Sequence, residues 1–453
     1  INDEKFKSQY KNIMKVNTLP LKRKKFWKRF FYLSLAKKIS GIVRYFDSVT
    51  QYSPLVHDDG TLFDMIKGSV HSGLVIEKKF KRDAILINGN FNYDFDIQKH
   101  LNELQENIDS NTRLIVVGYN CYLRIIYKLG TFLGLKSGDY NRLSFLRRVD
   151  IENLAIISGY EVVKYYPIIY FPFSCLTIGT LVNRVISAIP LISRFSMVEI
   201  VILRSLKHTS NYRPSLSIVI PARNEEGNIK NAIQFLPEFG AKTEVIFVEG
   251  HSSDDTWDEI KKVTDEYTGP LAIKRIKQKG KGKGNAVREG FALAEGELLT
   301  ILDADLTMPP QLLPRFYEAF VEGHGEFING SRLLYPMEGE AMRTLNWFGN
   351  IFFAKALSYV LGVRLSDSLC GTKLFTKTDY QRMVLWREDF GDFDPFGDFE
   401  VLFPASALGL KIIDIPIRYK DRTYGETNIS RFSHGYMLLK MVIIGLIKIR
   451  WGK

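Results

Sequence analysis

Two α/β domains in series, the second built on a parallel sheet with one ligand-binding edge, are predicted by three features of the sequence. The chain has 453 residues, more than one compact domain usually holds. Strand-like and helix-like stretches alternate on both sides of residue 207, the pattern of βαβ units. Between the halves runs Lys207-His208-Thr209-Ser210-Asn211-Tyr212-Arg213-Pro214, a polar stretch ending in proline and the expected linker. Hydrophobic residues make up 45% of the chain, enough to supply two cores.

From the start, residues 1–50 read as a basic arm. They hold 13 Lys and Arg against 3 Asp and Glu, most of the formal net charge of +12. Within them Leu21-Lys22-Arg23-Lys24-Lys25-Phe26-Trp27-Lys28-Arg29-Phe30-Phe31-Tyr32 interleaves cations with aromatics, the composition of a segment lying on an anionic membrane surface. Nucleic acid and a solvated charge run are the rival readings, and the wider context favours the membrane over nucleic acid. Two further stretches form that context. Tyr165 to Val182 carries no charge, but Pro167 and Pro172 argue against a straight spanning helix. Residues 435–453 are apolar nearly all round, interrupted by Lys440 and Lys448, as in an interfacial helix; a buried or oligomer-forming helix is the alternative. The three cysteines, Cys121, Cys175 and Cys370, suggest no disulfide framework and point to a reducing compartment. No secretory leader is legible where the chain begins, at Ile1.

The first domain, residues 51–206, opens its regular structure with the strand Asp83–Asn90, a helix over 97–108 and the strand Thr112–Gly118. The second, residues 215–434, starts with the β-branched strand Leu216-Ser217-Ile218-Val219-Ile220-Pro221 and a helix over 227–235. A strand over 244–250 follows, then a Ser/Asp cluster able to cap a helix over 256–267. After a third strand, 271–276, the loop Gln278-Lys279-Gly280-Lys281-Gly282-Lys283-Gly284-Asn285 opens the helix 286–294; it suits a phosphate, although it lacks Walker spacing. The run Leu299-Thr300-Ile301-Leu302 then drives into Asp303-Ala304-Asp305 just before Pro309-Pro310. Residues i and i+2 of an extended segment share a side, so this pair is expected to face one divalent cation and the diphosphate it carries, at the carboxyl edge of the sheet.

These motifs, in this order, resemble glycosyltransferase family 2, in the branch of dolichyl- or polyprenyl-phosphate sugar transferases. The series continues with Asn329-Gly330-Ser331-Arg332, Asp367-x-x-Cys370-Gly371-Thr372-Lys373, Phe396-Gly397-Asp398-Phe399-Glu400 and Arg422-Thr423-Tyr424-Gly425. The resemblance implies a GT-A fold and an inverting transfer from a UDP- or GDP-sugar to a polyprenyl or dolichyl phosphate at the cytoplasmic face of a membrane. It implies that Pro221, Ala222, Glu225 and Lys283 line the nucleotide-sugar pocket, with Glu249 beside the base, where the family usually has Asp. Asp303 would meet the ribose or diphosphate, Asp305 would ligate magnesium or manganese, and Arg422 would close over the diphosphate. Ser331, Arg332 and Arg343 are the expected acceptor residues; Trp347 stands where the family has Ser. An ionised lipid phosphate needs no base, whereas a glycan hydroxyl, the alternative acceptor, would use Asp398 or Glu400.

Residues 83–204 also resemble the later half of a class I methyltransferase. No Gly-x-Gly-x-Gly precedes Asp83, which argues against S-adenosylmethionine as a cofactor. The expectation is a degenerate scaffold, or a segment omitted around residues 45–80; a bifunctional methyltransferase-glycosyltransferase is the further alternative. The oligomeric state stays open.

Overall fold

The computed structural model describes residues 26–52, 60–70, 76, 80–94, 96–134, 144–173, 178–207, 212–239, 241–335, 344–390, 397–422, 424 and 431–451. It divides into unit 1, residues 1–207 with 450–453, and unit 2, residues 208–449. Residues 1–25 of the basic arm, 208–211 of the linker, Cys175, Arg343 and Gly425 lie outside the described residues.

In unit 1 the elements are α1 (Phe26–Val43), β1 (Ser48–Gln51), α2 (Thr61–Ile66), β2 (Asp83–Asn88), α3 (Asn90–Tyr93), α4 (Ile97–Asn107), β3 (Arg113–Tyr119), α5 (Arg124–Phe132), α6 (Arg148–Ile157), β4 (Tyr160–Ile168), α7 (Ile178–Ala188) and β5 (Val198–Ser205). The sheet order is β1-β2-β3-β5-β4. The first three strands are parallel, and β5 runs antiparallel to both neighbours. Alternate strand residues feed two cores. Leu86, Ile115 and Ile200 face α1 and α2, while Ile87, Val116 and Val201 face α4 and α6.

Helix α1 corrects the reading of an arm. Leu35, Ile39, Ile42 and Val43 recur at helical spacing and are buried, and Phe31 and Tyr32 pack against the same core. Burying each aliphatic chain is worth roughly 1.5–3 kcal/mol, which outweighs the weak pull of a surface charge run. Residues 26–50 therefore belong to unit 1.

Unit 2 continues with β6 (Leu216–Ala222), α8 (Glu226–Gln234), β7 (Thr243–Glu249), α9 (Thr256–Glu266), β8 (Ala272–Lys277), α10 (Lys283–Leu293), β9 (Leu298–Ile301), α11 (Leu313–Val321), β10 (Phe327–Ser331), α12 (Thr344–Leu361), β11 (Lys373–Thr376), α13 (Lys377–Phe390), α14 (Phe399–Ala407), β12 (Ile412–Pro416) and α15 (Arg431–Gly445). The seven strands lie in the order β12-β10-β11-β9-β6-β7-β8. The sheet is mixed rather than parallel, because β11 pairs antiparallel with both β10 and β9. Ile218, Ile220, Val245 and Phe247 point into the core shared with α8, α9 and α11. On the opposite face a Cβ at Gly290 of α10 would lie 3.2 Å from Val248 and closer still to Val219, so only glycine lets α10 approach this closely.

Helix α15 begins four residues before the expected segment. It buries Leu438 and Met441 and packs against α12, where a Cβ at Gly445 would come within 2.8 Å of Val360. The pair also leaves apolar residues on its surface: Trp347, Phe348, Phe352, Tyr436 and Ile443 remain exposed.

Candidate active site

The carboxyl ends of β6, β7 and β9 carry the candidate residues of unit 2. Among the described residues, three of the four non-glycine residues with positive φ fall in the loops just beyond them: Asn224, His251 and Leu306. Side chains pay strain for this conformation, and such strain collects where a loop must hold a fixed shape.

At the first edge, Pro221 and Ala222 end β6, and Glu225 precedes α8. Glu225 is 8% exposed and accepts from Asn228 Nδ2 at 2.7 Å. Burial is the main cause that pushes its carboxyl up to about 7; Asp305 and Asp303 add to this, while Asn228 and Arg422 oppose it. Glu249 ends β7, buried, with Oε1 accepting from Ser252 N at 2.6 Å. In the Ser/Asp cluster beyond it the N-cap residue of α9, Asp255, makes no side-chain cap bond, and it is Asp254 Oδ1 that accepts from Thr256 N at 3.1 Å.

The glycine-lysine loop is less open than its composition suggests. The N–H groups of Lys279 and Gly280 both donate to the Glu289 carboxylate, at 2.9–3.1 Å, so they are committed within the loop. Gly282 (φ 86°) then turns the chain into α10 and brings Lys283 to Asp303. Gly284 meets Gly397 backbone to backbone: a Cβ at Gly284 would lie 3.1 Å from the Gly397 Cα.

The acid pair differs from the expected geometry. Strand β9 stops at Ile301, so Asp303 and Asp305 sit in the following turn and bind separate partners. Asp303 Oδ1 is 2.6 Å from Lys283 Nζ. Burial acts to raise the Asp303 carboxyl, but Lys283 above all, with Lys373 and Arg332, overcomes it and holds the group below the usual carboxylate range. Asp305 Oδ1 accepts from Thr307 N (3.1 Å) and Oγ1 (2.8 Å), and its Oδ2 accepts from Arg422 Nη2 at 2.7 Å. Arg422 Nη1 also lies 3.8 Å from Glu225. The following Tyr424 covers the start of α8, where a Cβ at Gly227 would be 2.7 Å from its ring.

On the acceptor side, Ser331 ends β10 fully buried, and its Oγ has no hydrogen-bond partner among the described residues. Arg332 spends its guanidinium fork on Asp367, through Nε at 2.7 Å and Nη2 at 3.0 Å, with the Tyr419 ring 5.4 Å away. Burial raises the carboxyl of Asp367 in isolation, but Arg332 holds it low. Asp398 pairs with Lys373 at 2.7 Å, and the lysine side chain is wholly buried. It occupies the N-cap position of α14 but makes no side-chain cap bond. Glu400 accepts from Arg288 at 2.7 and 2.8 Å and lies 3.3 Å from Arg387; this double pairing makes it a structural anion rather than a base.

Among the ion pairs of the described residues of unit 2, four join residues of the sequence motifs to one another: Lys283 with Asp303, Arg422 with Asp305, Arg332 with Asp367, and Lys373 with Asp398. Asp367 and Lys373 were not among the residues singled out from sequence, although both belong to the Asp367-x-x-Cys370-Gly371-Thr372-Lys373 motif. Gly371 of that motif backs the first pair: a Cβ there would overlap Asp303 Oδ2 and lie 2.7 Å from Lys283 Nζ. The same burial pushes the Cys370 thiol up to about 12, so it is an inert packing group.

The donors suit a hard divalent cation. No three His, Cys, Asp or Glu side chains among the described residues are grouped to enclose a metal. One or two carboxylates completed by substrate phosphates is the way magnesium is usually bound, and Asp305 and Asp303 provide such carboxylates.

Comparison with known proteins bears on the domain that holds these residues. Residues 217–383 match the model of Glycosyl transferase family 2. The chain is similar to a dolichyl-phosphate hexose transferase of Haloferax volcanii, 27% identical over 229 residues, covering 50% of this chain and 92% of the relative. It is likewise similar to a dolichol-phosphate mannosyltransferase of Pyrococcus furiosus, 27% identical over 247 residues, where the match spans 50% of this chain and 64% of the relative. Glucosyl-3-phosphoglycerate synthase of Mycobacterium tuberculosis is similar in structure at a TM-score of 0.37 and 18% identity, covering 53% of this chain and 80% of the other. Residues 217–383 therefore carry a glycosyltransferase family 2 domain, and the chain is a glycosyltransferase.

Proposed function

We propose that the protein transfers a hexosyl group, with inversion, from a nucleoside diphosphate sugar to a polyprenyl phosphate at a membrane surface. The observation that carries this reading is the four cation–carboxylate pairs that join motif residues of unit 2. Each cation is held in place by a carboxylate, so an incoming diphosphate meets positive groups already fixed. Lys283 and Arg422 are the two whose pairs are partly exposed, and they bind the diphosphate as it departs. Glu225 holds the second position around Arg422. Pro221, Ala222 and Glu249 shape the nucleotide side from the ends of β6 and β7. A bound magnesium or manganese ion, held by Asp305 with Asp303 beside the diphosphate, would neutralise leaving-group charge.

The acceptor reading rests on two observations. Asp398 is tied to a buried lysine, a poor arrangement for a base that must take a hydroxyl proton, whereas a phosphate oxygen is already ionised. The α12–α15 pair also leaves an aromatic-rich face exposed, suited to the headgroup level of a bilayer. No described helix is long and apolar enough to cross a membrane, and both relatives are named for lipid phosphates. Ser331 and Arg332 act as acceptor residues in this reading, Arg332 held in register by Asp367; Arg343 joins them from the family motif. Unit 1 enters as a methyltransferase-like scaffold, since Tyr52-Ser53-Pro54-Leu55-Val56 follows β1 where a glycine-rich cofactor turn would stand.

The test is nucleoside diphosphate release by the full chain with magnesium or manganese, across UDP- and GDP-sugars, with and without polyprenyl phosphate. Lipid-dependent release with a matching glycolipid supports the reading and names the donor. Release that depends instead on a glycan hydroxyl acceptor overturns the lipid assignment.

A further inference from the structure

We infer that unit 1 carries its own docking face for an anionic lipid surface, formed by α5 and by α7 with the segment that follows it. This goes beyond sugar transfer, because none of these residues belongs to unit 2. Helix α5 exposes Ile125 (74%), Leu129 (55%) and Phe132 (87%), spaced so as to form one stripe along the helix. Helix α7 exposes Ile178, Leu181 and Val185 at the same helical spacing, and the stripe continues into Leu191 (77%) and Phe195. Isolated exposed apolar residues need no explanation, but contiguous stripes on neighbouring elements do.

The start of the first segment is fastened to the end of the second. Asn120 Nδ2 donates to the Arg194 carbonyl at 2.8 Å while its Oδ1 accepts from Tyr122 N at 3.0 Å. The rings of Tyr122 and Phe195 then meet with centroids 5.5 Å apart. The turn that leads into α5 and the segment that follows α7 therefore meet.

Charge decides the occupant. Residues 120–134 and 178–198 contain Arg124, Lys128, Arg184 and Arg194 and no Asp or Glu at all. Glu199 and Asp150 lie near Cys121, but the two segments themselves carry only cations, the pattern of an element lying in a headgroup layer of negative lipids. A second copy of the same face would instead set these cations against their own counterparts, which like-charge repulsion disfavours.

The full chain is sedimented with vesicles of phosphatidylcholine alone or mixed with phosphatidylserine. Leu129→Gln with Phe132→Gln is expected to lower partition at least about tenfold on both vesicle types. Arg124→Gln with Lys128→Gln is expected to lower it about fivefold per charge on the anionic vesicles only, an effect that salt removes. All four positions are exposed, so thermal unfolding and turnover with a short-chain, water-soluble acceptor stay at parent levels. That control separates failure of this inference from failure of the transferase assignment. Hydrogen exchange on the unmodified chain gives a second reading: vesicles slow exchange in residues 121–134 and 178–195. Partition and exchange indifferent to these residues, protection confined to α12 and α15, or a lipid-free dimer that the Gln variants dissolve would each overturn the inference.

Discussion

Gly371→Ala isolates the contribution of the Lys283–Asp303 pair without deleting a charge. The position does not have positive φ, so alanine costs nothing in backbone conformation, and the effect is steric. The new methyl would overlap Asp303 Oδ2, lie 3.0 Å from its Cγ and 2.7 Å from Lys283 Nζ. Protein Cβ contacts do not approach this closely, so the carboxylate or the ammonium must move by about 1 Å. Overpacking of this kind costs about 1–3 kcal/mol of stability, a fall in Tm of a few degrees for a unit of this size. A displacement of that order at a positioned group lowers rate by about a hundredfold, or ~2.7 kcal/mol in the barrier. The assay is kcat/KM for nucleoside diphosphate release beside a thermal melt. The expected outcome is a folded protein with a hundredfold loss. A variant within about threefold of the parent rate would refute the reasoning, as it would show that the pair's position does not matter to the chemistry.

Three further outcomes are expected. Asp305→Asn abolishes metal-dependent turnover while leaving the fold intact, because Thr307 can still donate to the side-chain oxygen; turnover at the parent rate would remove Asp305 from the metal assignment. Asp398→Asn leaves the fully buried Lys373 without its counter-ion and costs about 3–5 kcal/mol, read by denaturant unfolding, whereas replacing both partners with apolar residues recovers much of the loss. Glu225 keeps its proton in the folded chain up to about pH 7 but loses it near 4.5 when unfolded, so the folded state binds more protons in that window and stability falls as pH rises through it. Glu225→Gln removes this slope; after allowance for solvent screening, its stability relative to the parent gains about 1–2 kcal/mol between pH 4.5 and 7.5, and a flat difference would sink the argument.

The strands of both sheets were legible where β-branched residues run between turn formers, as in Ala84-Ile85-Leu86-Ile87 and Val245-Ile246-Phe247-Val248. Strand β11 was not, because its four residues, Lys373–Thr376, carry no pattern that reveals an antiparallel insertion. Helix α1 was misread because the cations of residues 22–29 drew attention from Leu35, Ile39 and Ile42, whose helical spacing signals burial. At the site, the motifs located the residues but not their partners. Lys283 and Asp303 are twenty positions apart, and Arg422 and Asp305 more than a hundred, so their pairing follows from strand order and not from spacing. The i, i+2 rule failed at Asp303 and Asp305 because it holds only inside a strand, and β9 ends first.

The contact between Gly284 and Gly397 joins the donor side of unit 2 to its acceptor side with no side chain between them. It acts as a gauge block: the spacing between the backbone that follows Lys283 and the segment bearing Asp398 is set by two main chains, which no choice of rotamer can alter. Side chains on either segment of the crossing can therefore change without altering that spacing, while an insertion at the crossing would shift α10 against the segment bearing Asp398.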